Sequence, residues 1–173
     1  VELGNTMHVA GGFPLLYDGS AAVEHGFHLF PEGVTNVDAA SGGSMADGTR
    51  QYSVLYEWTD AKGQIHRSAP SIALSVTLSG GGSSQKTTLT IPTLRLTSKT
   101  LVNVVVYRTI DSGTTFYRTT PVATPTDNDT TADTVSFVDT QADSTLTDNE
   151  LLYTTGGVLD HIAPPSCSVI ASY

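Results

Sequence analysis

Glu24-His25-Gly26-Phe27-His28 invites a metal reading, because imidazole and carboxylate are both zinc ligands. In an extended strand, however, His25 and His28 point to opposite faces, and Gly26 weakens the helical alternative. Packed or hydrogen-bonded histidines are the simpler expectation, and His8, His66 and His161 stand alone in sequence. Asp127-Asn128-Asp129 begins like a calcium loop but lacks the glycine and distal glutamate of the EF-hand pattern. The weak calcium candidates are therefore Asp127, Asp129, Asp133 and Asp139 in a different geometry, set against solvated loop acids. Asp18 and Glu24 would make a glycosidase pair only if a pocket joined them. Cys167, the one cysteine, has no internal disulfide partner and no accompanying His or Asn motif, so it reads as a small strand residue. Asn128-Asp129-Thr130 fits a glycosylation acceptor, which matters only in a secreted eukaryotic protein. Phosphate loops, Gly-x-Ser-x-Gly elbows and His-Glu-x-x-His runs are missing. The expectation is a non-enzyme with no catalytic residue, no cofactor and no metal.

Trp58, Tyr56, Tyr107 and Tyr117 raise a carbohydrate reading, since exposed aromatic platforms bind sugars by stacking. Their alternation with polar residues turns them inward and favours core. A carbohydrate-binding or adhesion module that meets a host-surface glycan is thus the alternative function. A third reading is an accessory domain of a secreted hydrolase.

Charge removes another class. Eight basic and 17 acidic residues give a net charge of −9, with no cationic footprint for nucleic acid. The acids gather from Asp127 to Glu150, where a solvated acidic face is expected. No apolar run approaches the roughly 20 residues that span a bilayer, so no membrane contact is expected. The chain starts at Val1, as after processing or as in a piece of a longer polypeptide, and the second is the expectation because both ends read as interrupted structure.

The elements that must position these residues are strands. Tyr52, Val54, Tyr56 and Trp58 alternate, so an extended chain turns all four to one side. Asp60 to Gly63 supplies a turn, and Ile72, Leu74, Val76 and Leu78 alternate in the next strand. Thr87 to Leu96 follows the break at Gly80–Ser84, with Pro92 marking an edge or bend. Leu101 to Ile110 is dense in β-branched residues and predicts a central strand covered on both faces. Asp111-Ser112-Gly113 is a turn with Gly113 suited to the left-handed position, and Thr114 to Val122 returns from it. Thr134 to Val138 is a further strand, and one helical turn fits near Asp143 to Glu150. Short strands, including Val23 to Phe30 and an Asp18-Gly19 turn, fill residues 1–32, and aperiodic residues 33–48 predict a linker. Threonine occurs 26 times and glycine 16 times, both favouring strands and turns over helix. The chain is all-β. Its expected core includes Tyr52, Val54, Tyr56, Trp58, Val104, Val106 and Phe137.

Gly48-Thr-x-x-Tyr52-x-Val54-x-Tyr56, a turn and Arg67-Ser-Ala-Pro-Ser71 resemble the last two strands of a fibronectin type III module. Val104-Val-Val-Tyr-Arg-Thr, Asp111 to Arg118 and Val135 to Thr140 are similar to its middle strands. The resemblance implies a fibronectin type III/immunoglobulin-like β-sandwich, with Tyr52 as a tyrosine-corner candidate bonding nearby backbone. The order departs from the family, because the Tyr-x-Val-x-Tyr strand precedes the Val-Tyr-Arg strand. Either two partial modules follow one another, or one sandwich has permuted strand order. The single sandwich is preferred, since half-sandwiches would expose an apolar face. Residues 4–32 and Glu150–Tyr173 resemble β-propeller-type segments. The domains expected are a flanking segment at 1–40, the sandwich at 45–142 and a return segment at 143–173. The whole resembles tailed-bacteriophage virion proteins in which a propeller-like body carries such an insertion. That resemblance implies a structural component of the phage tail or head–tail region, partnered by other virion proteins and by copies of itself.

Overall fold

A computed structural model describes residues 2–3, 6–152 and 165–171. Of the return segment expected at 143–173, residues 153–164, His161 among them, and 172–173 lie outside the described residues. The described chain is built from strands, and helix is confined to one 3-10 turn at Asp143–Thr145.

The longest strand organises the rest. β6 (Gly48–Thr59) follows five shorter ones: β1 (Glu2–Leu3), β2 (Thr6–Val9), β3 (Leu15–Tyr17), β4 (Ala22–Glu24) and β5 (Thr35–Ala39). On one edge β6 pairs with β8 (Leu74–Leu78) through residues 48–52 and with β7 (Ile65–Arg67) through residues 57–59. Its other edge pairs with β10 (Asn103–Arg108), Val106 opposite Val54 and Arg108 opposite Tyr52. The far edge of β10 takes β11 (Tyr117–Arg118) and β12 (Thr126–Asp127). A second sheet places β9 (Lys86–Pro92) between β5 and β13 (Thr134–Asp139). β1 to β4 form a separate four-stranded meander.

Period-two patterning explains the core. Tyr52, Val54, Tyr56 and Trp58 are all buried on one face of β6 and share a cluster with Val104 and Val106. Val76, Leu78, Leu89, Ile91 and Leu94 join them, so the six- and three-stranded sheets bury one common core, with half-buried Phe137 packed against it. The opposite face of β6 and β10 is covered too, where Leu55, Val105, Tyr107 and Leu152 cluster with Phe116. β10 is thus covered on both faces, as its β-branched run predicts.

Hydroxyl side chains complete the sheet where short strands leave gaps. Between β7 and β8, Pro70 has no N–H to donate. The Ser68 and Ser71 N–H groups donate to the carbonyls of Tyr56 and Val54, and their Oγ atoms accept from the N–H groups of those same two residues. Beyond β11, Thr120 Oγ1 accepts from the N–H of Val106 in the same way. The Ser and Thr content therefore satisfies buried backbone groups as well as favouring strands.

Several expectations are corrected. Residues 33–48 are not an aperiodic linker: they hold β5, and buried Met45 bridges to Gln85. Gly43 permits that approach, because a Cβ there would lie 2.1 Å from the Gln85 carbonyl oxygen. The strand expected at Val23–Phe30 ends at Glu24, and the return after Gly113 shrinks to Tyr117–Arg118. Ile72 stands 87% exposed ahead of β8. Ser112 rather than Gly113 takes the positive φ, at 52°. Tyr52 is not a tyrosine corner, since its hydroxyl donates to the Asp139 side chain from β13, at 2.7 Å.

Candidate interaction face

The meander docks through alternate residues. Leu16, Val23 and Phe27 enter the main core, and Phe27 packs against Tyr56 with ring centroids 6.5 Å apart. Polar contacts fasten the same side. Asp18 accepts from the N–H groups of Ser20 and Ala21 through Oδ1, and from the N–H of Ala61 through Oδ2. Those backbone donors hold its carboxyl at about 2.

The other side of the meander carries Met7, Val9, Leu15 and Tyr17, each between 39% and 49% exposed. Met7 pairs directly with Tyr17, and Val9 with Leu15, so the four side chains form one apolar patch. Phe13 stands 68% exposed beside them in sequence and packs against His28 at 4.8 Å. A solvated antiparallel sheet ordinarily alternates apolar and polar residues. This one adds Met7, Val9, Leu15 and Tyr17 on its outer face to Leu16 and Val23 on its inner one, with Glu2 opposite Met7 and Glu24 opposite Leu15. Close by in sequence, Gly12 forms a bridge with Cys167, whose N–H donates to the Gly12 carbonyl at 3.1 Å. Nothing in the sequence marks the patch, because alternation along these short strands does not say which of their two faces is covered.

Glu24 and Lys99 tie the meander to the loop before β10. Lys99 Nζ is buried, donates to the carbonyls of Glu24 and Gly26 at 2.6 Å each, and lies 3.0 Å from Glu24 Oε1. It sits over the rings of Phe27 and Trp58, 4.9 and 5.5 Å from their centroids. Burial would raise the Glu24 carboxyl, but donors from Ser98, Thr97 and Lys99 outweigh it and hold it at about 2. Burial lowers Lys99 from the ordinary lysine value, opposed by Glu24.

The late acids are not a uniform solvated face. Asp139 and Asp143 belong to a network with two buried arginines. Arg50 Nε donates to Asp143 at 2.8 Å and Arg108 Nη1 donates to it at 2.6 Å. Arg108 Nε lies 2.8 Å from Asp139 Oδ2 as an ion pair, without hydrogen-bond alignment. On the opposite face, Glu57 and Glu150 are each shared by Arg67 and Arg118. Burial would raise Asp143 and Glu150, but these arginines keep both carboxyls below their ordinary values.

The four calcium candidates are therefore not brought together. Asp139 faces Tyr52 and Arg108, Asp133 pairs with Arg95, Asp129 caps Thr131, and Asp127 pairs in β12. Among the described residues, no group of three or more His, Cys, Asp or Glu side chains is placed to hold a metal ion. Asp18 and Glu24 are both held strongly ionised, which is wrong for a general acid. Tyr56, Trp58 and Tyr107 are buried and offer no sugar platform, and Tyr117 is half-buried. Among the described residues, no helix is long and apolar enough to cross a membrane. Comparison with protein-family models, curated proteins and solved structures found no match to this chain.

Proposed function

We propose that this chain is a non-enzymatic structural module that works through protein–protein contacts within a larger assembly. The observation that carries the reading is the outer patch of Met7, Val9, Leu15 and Tyr17 on a sheet whose other side is already docked. A contiguous apolar surface of that kind gains free energy by being covered. The body reads as a fibronectin type III/immunoglobulin-like β-sandwich with permuted strand order. The core shared by the β6–β10 and β9–β13 sheets supports it, as does the direct pairing of the Tyr-x-Val-x-Tyr strand with the Val-Tyr-Arg strand. A rigid spacer of this type, with a meander as its contact face, suits a tail-associated component of a phage virion. Other virion proteins and copies of the chain itself would be the partners.

Photo-crosslinking in intact particles tests this. With p-benzoylphenylalanine in place of Phe13, irradiation should yield covalent adducts to a virion protein or to a second copy. Absence of the chain from purified particles would overturn the virion assignment.

A further inference from the structure

We propose that His25 is an acid-sensitive latch: taking up a proton releases the N-terminal meander from the central sheets. The geometry isolates this ring at the point where the meander is fastened. Lys99 Nζ clamps the carbonyls of Glu24 and Gly26, the residues on either side of His25. The His25 N–H donates to the Pro14 carbonyl at 2.8 Å, and its ring lies 5.0 Å from that of His8 on β2. Its Nδ1 is buried with no hydrogen-bond partner. A neutral ring tolerates that position as a bare nitrogen, but a protonated ring places an N–H donor there with nothing to accept it.

The charges facing His25 give no relief. His8 comes from β2, His66 from β7, Lys99 from the loop before β10, and His28 from its own segment, all cationic or able to become so. Glu24, the neighbouring carboxylate, is already engaged by Lys99, Ser98 and Thr97, and Asp60 is engaged by His66. Burial first, then these neighbours, hold His25 below the ordinary histidine value of 6.5, and burial also lowers His8. The unfastened meander therefore binds the proton more readily than the docked one. Docking is at full strength above about pH 6.5 and weakens as pH falls from there towards the depressed docked value. Release would uncover Leu16, Val23 and Phe27, converting a buried seam into new apolar surface.

Hydrogen–deuterium exchange from pH 8 to pH 5, corrected for intrinsic rates, reads the latch directly. Amides of β2 to β4 should lose protection several-fold below pH 6.5 while those of β6 and β10 keep theirs. His25→Gln should abolish that acid step. Flat protection of β2 to β4 across the range, or an undiminished step in the variant, would overturn the proposal. If the variant does not fold, an NMR titration of the imidazoles in the unaltered protein decides. His25 titrating below 6.5 in step with the β2–β4 amides supports the latch, and His25 titrating without any response from them refutes it.

Discussion

Tyr52 and Asp139 lie 87 residues apart in sequence, yet the tyrosine hydroxyl donates to the carboxylate at 2.7 Å inside the core. This bond joins the two sheets, since Tyr52 is on β6 and Asp139 ends β13. Removing the hydroxyl strips a buried charge of one donor. Tyr52→Phe should cost about 2 kcal/mol, read as a lower urea midpoint with an unchanged slope.

Arg108 neutralises Asp139 and Asp143 together. Arg108→Met leaves both carboxylates short of a partner and should cost about 3 to 5 kcal/mol. Arg95 pairs with Asp133 at the surface, where side-chain exposures are 52% and 87%. Arg95→Met should shift stability by less than about 1 kcal/mol. Equilibrium denaturation of the two variants side by side checks the contrast.

Gly43 lies against the Gln85 backbone with no room for a methyl group. Gly43→Ala should push β5 and its flank away from β9 and cost about 2 kcal/mol. Faster amide exchange at Met45 and Gln85, which bridge each other, should accompany the loss.

Burial pushes the Tyr56 and Tyr107 hydroxyls up to about 12, from an ordinary value of 10.0. Their protonated forms are favoured by folding, so this contribution is complete below pH 10 and is lost as pH rises through 12. A spectrophotometric titration should show fewer than the seven tyrosines ionising near pH 10, with the remainder appearing on alkaline unfolding. All seven ionising together near pH 10 in the folded protein would contradict that burial.

The alternation from Tyr52 to Trp58 made β6 legible, because a period of two is written locally in the chain. The Val104–Val106 run was legible for the same reason. The arginine networks were not. Arg50 meets Asp143 across 93 residues, and arginine ordinarily stays near solvent, so nothing local marks Arg50 or Arg108 as buried. β5 was missed because Thr35–Ala39 holds no run of apolar residues and is drawn into a strand by pairing with β9. The acids from Asp139 to Glu150 read as solvated because their partners lie elsewhere. In the meander, the strands were visible, but alternation cannot distinguish a core face from a contact face when both carry apolar residues.

Sedimentation velocity over a range of concentrations tests the assembly face most directly, comparing the unaltered protein with Leu15→Lys and Met7→Lys. Both substitutions lie on the exposed face and should change stability by no more than about 0.5 kcal/mol. The unaltered chain should self-associate as concentration rises, and either lysine should return it to a folded monomer. A chain that stays monomeric at every concentration and yields no crosslink in intact particles, or one whose association is untouched by both lysines, would contradict an assembly role for this face.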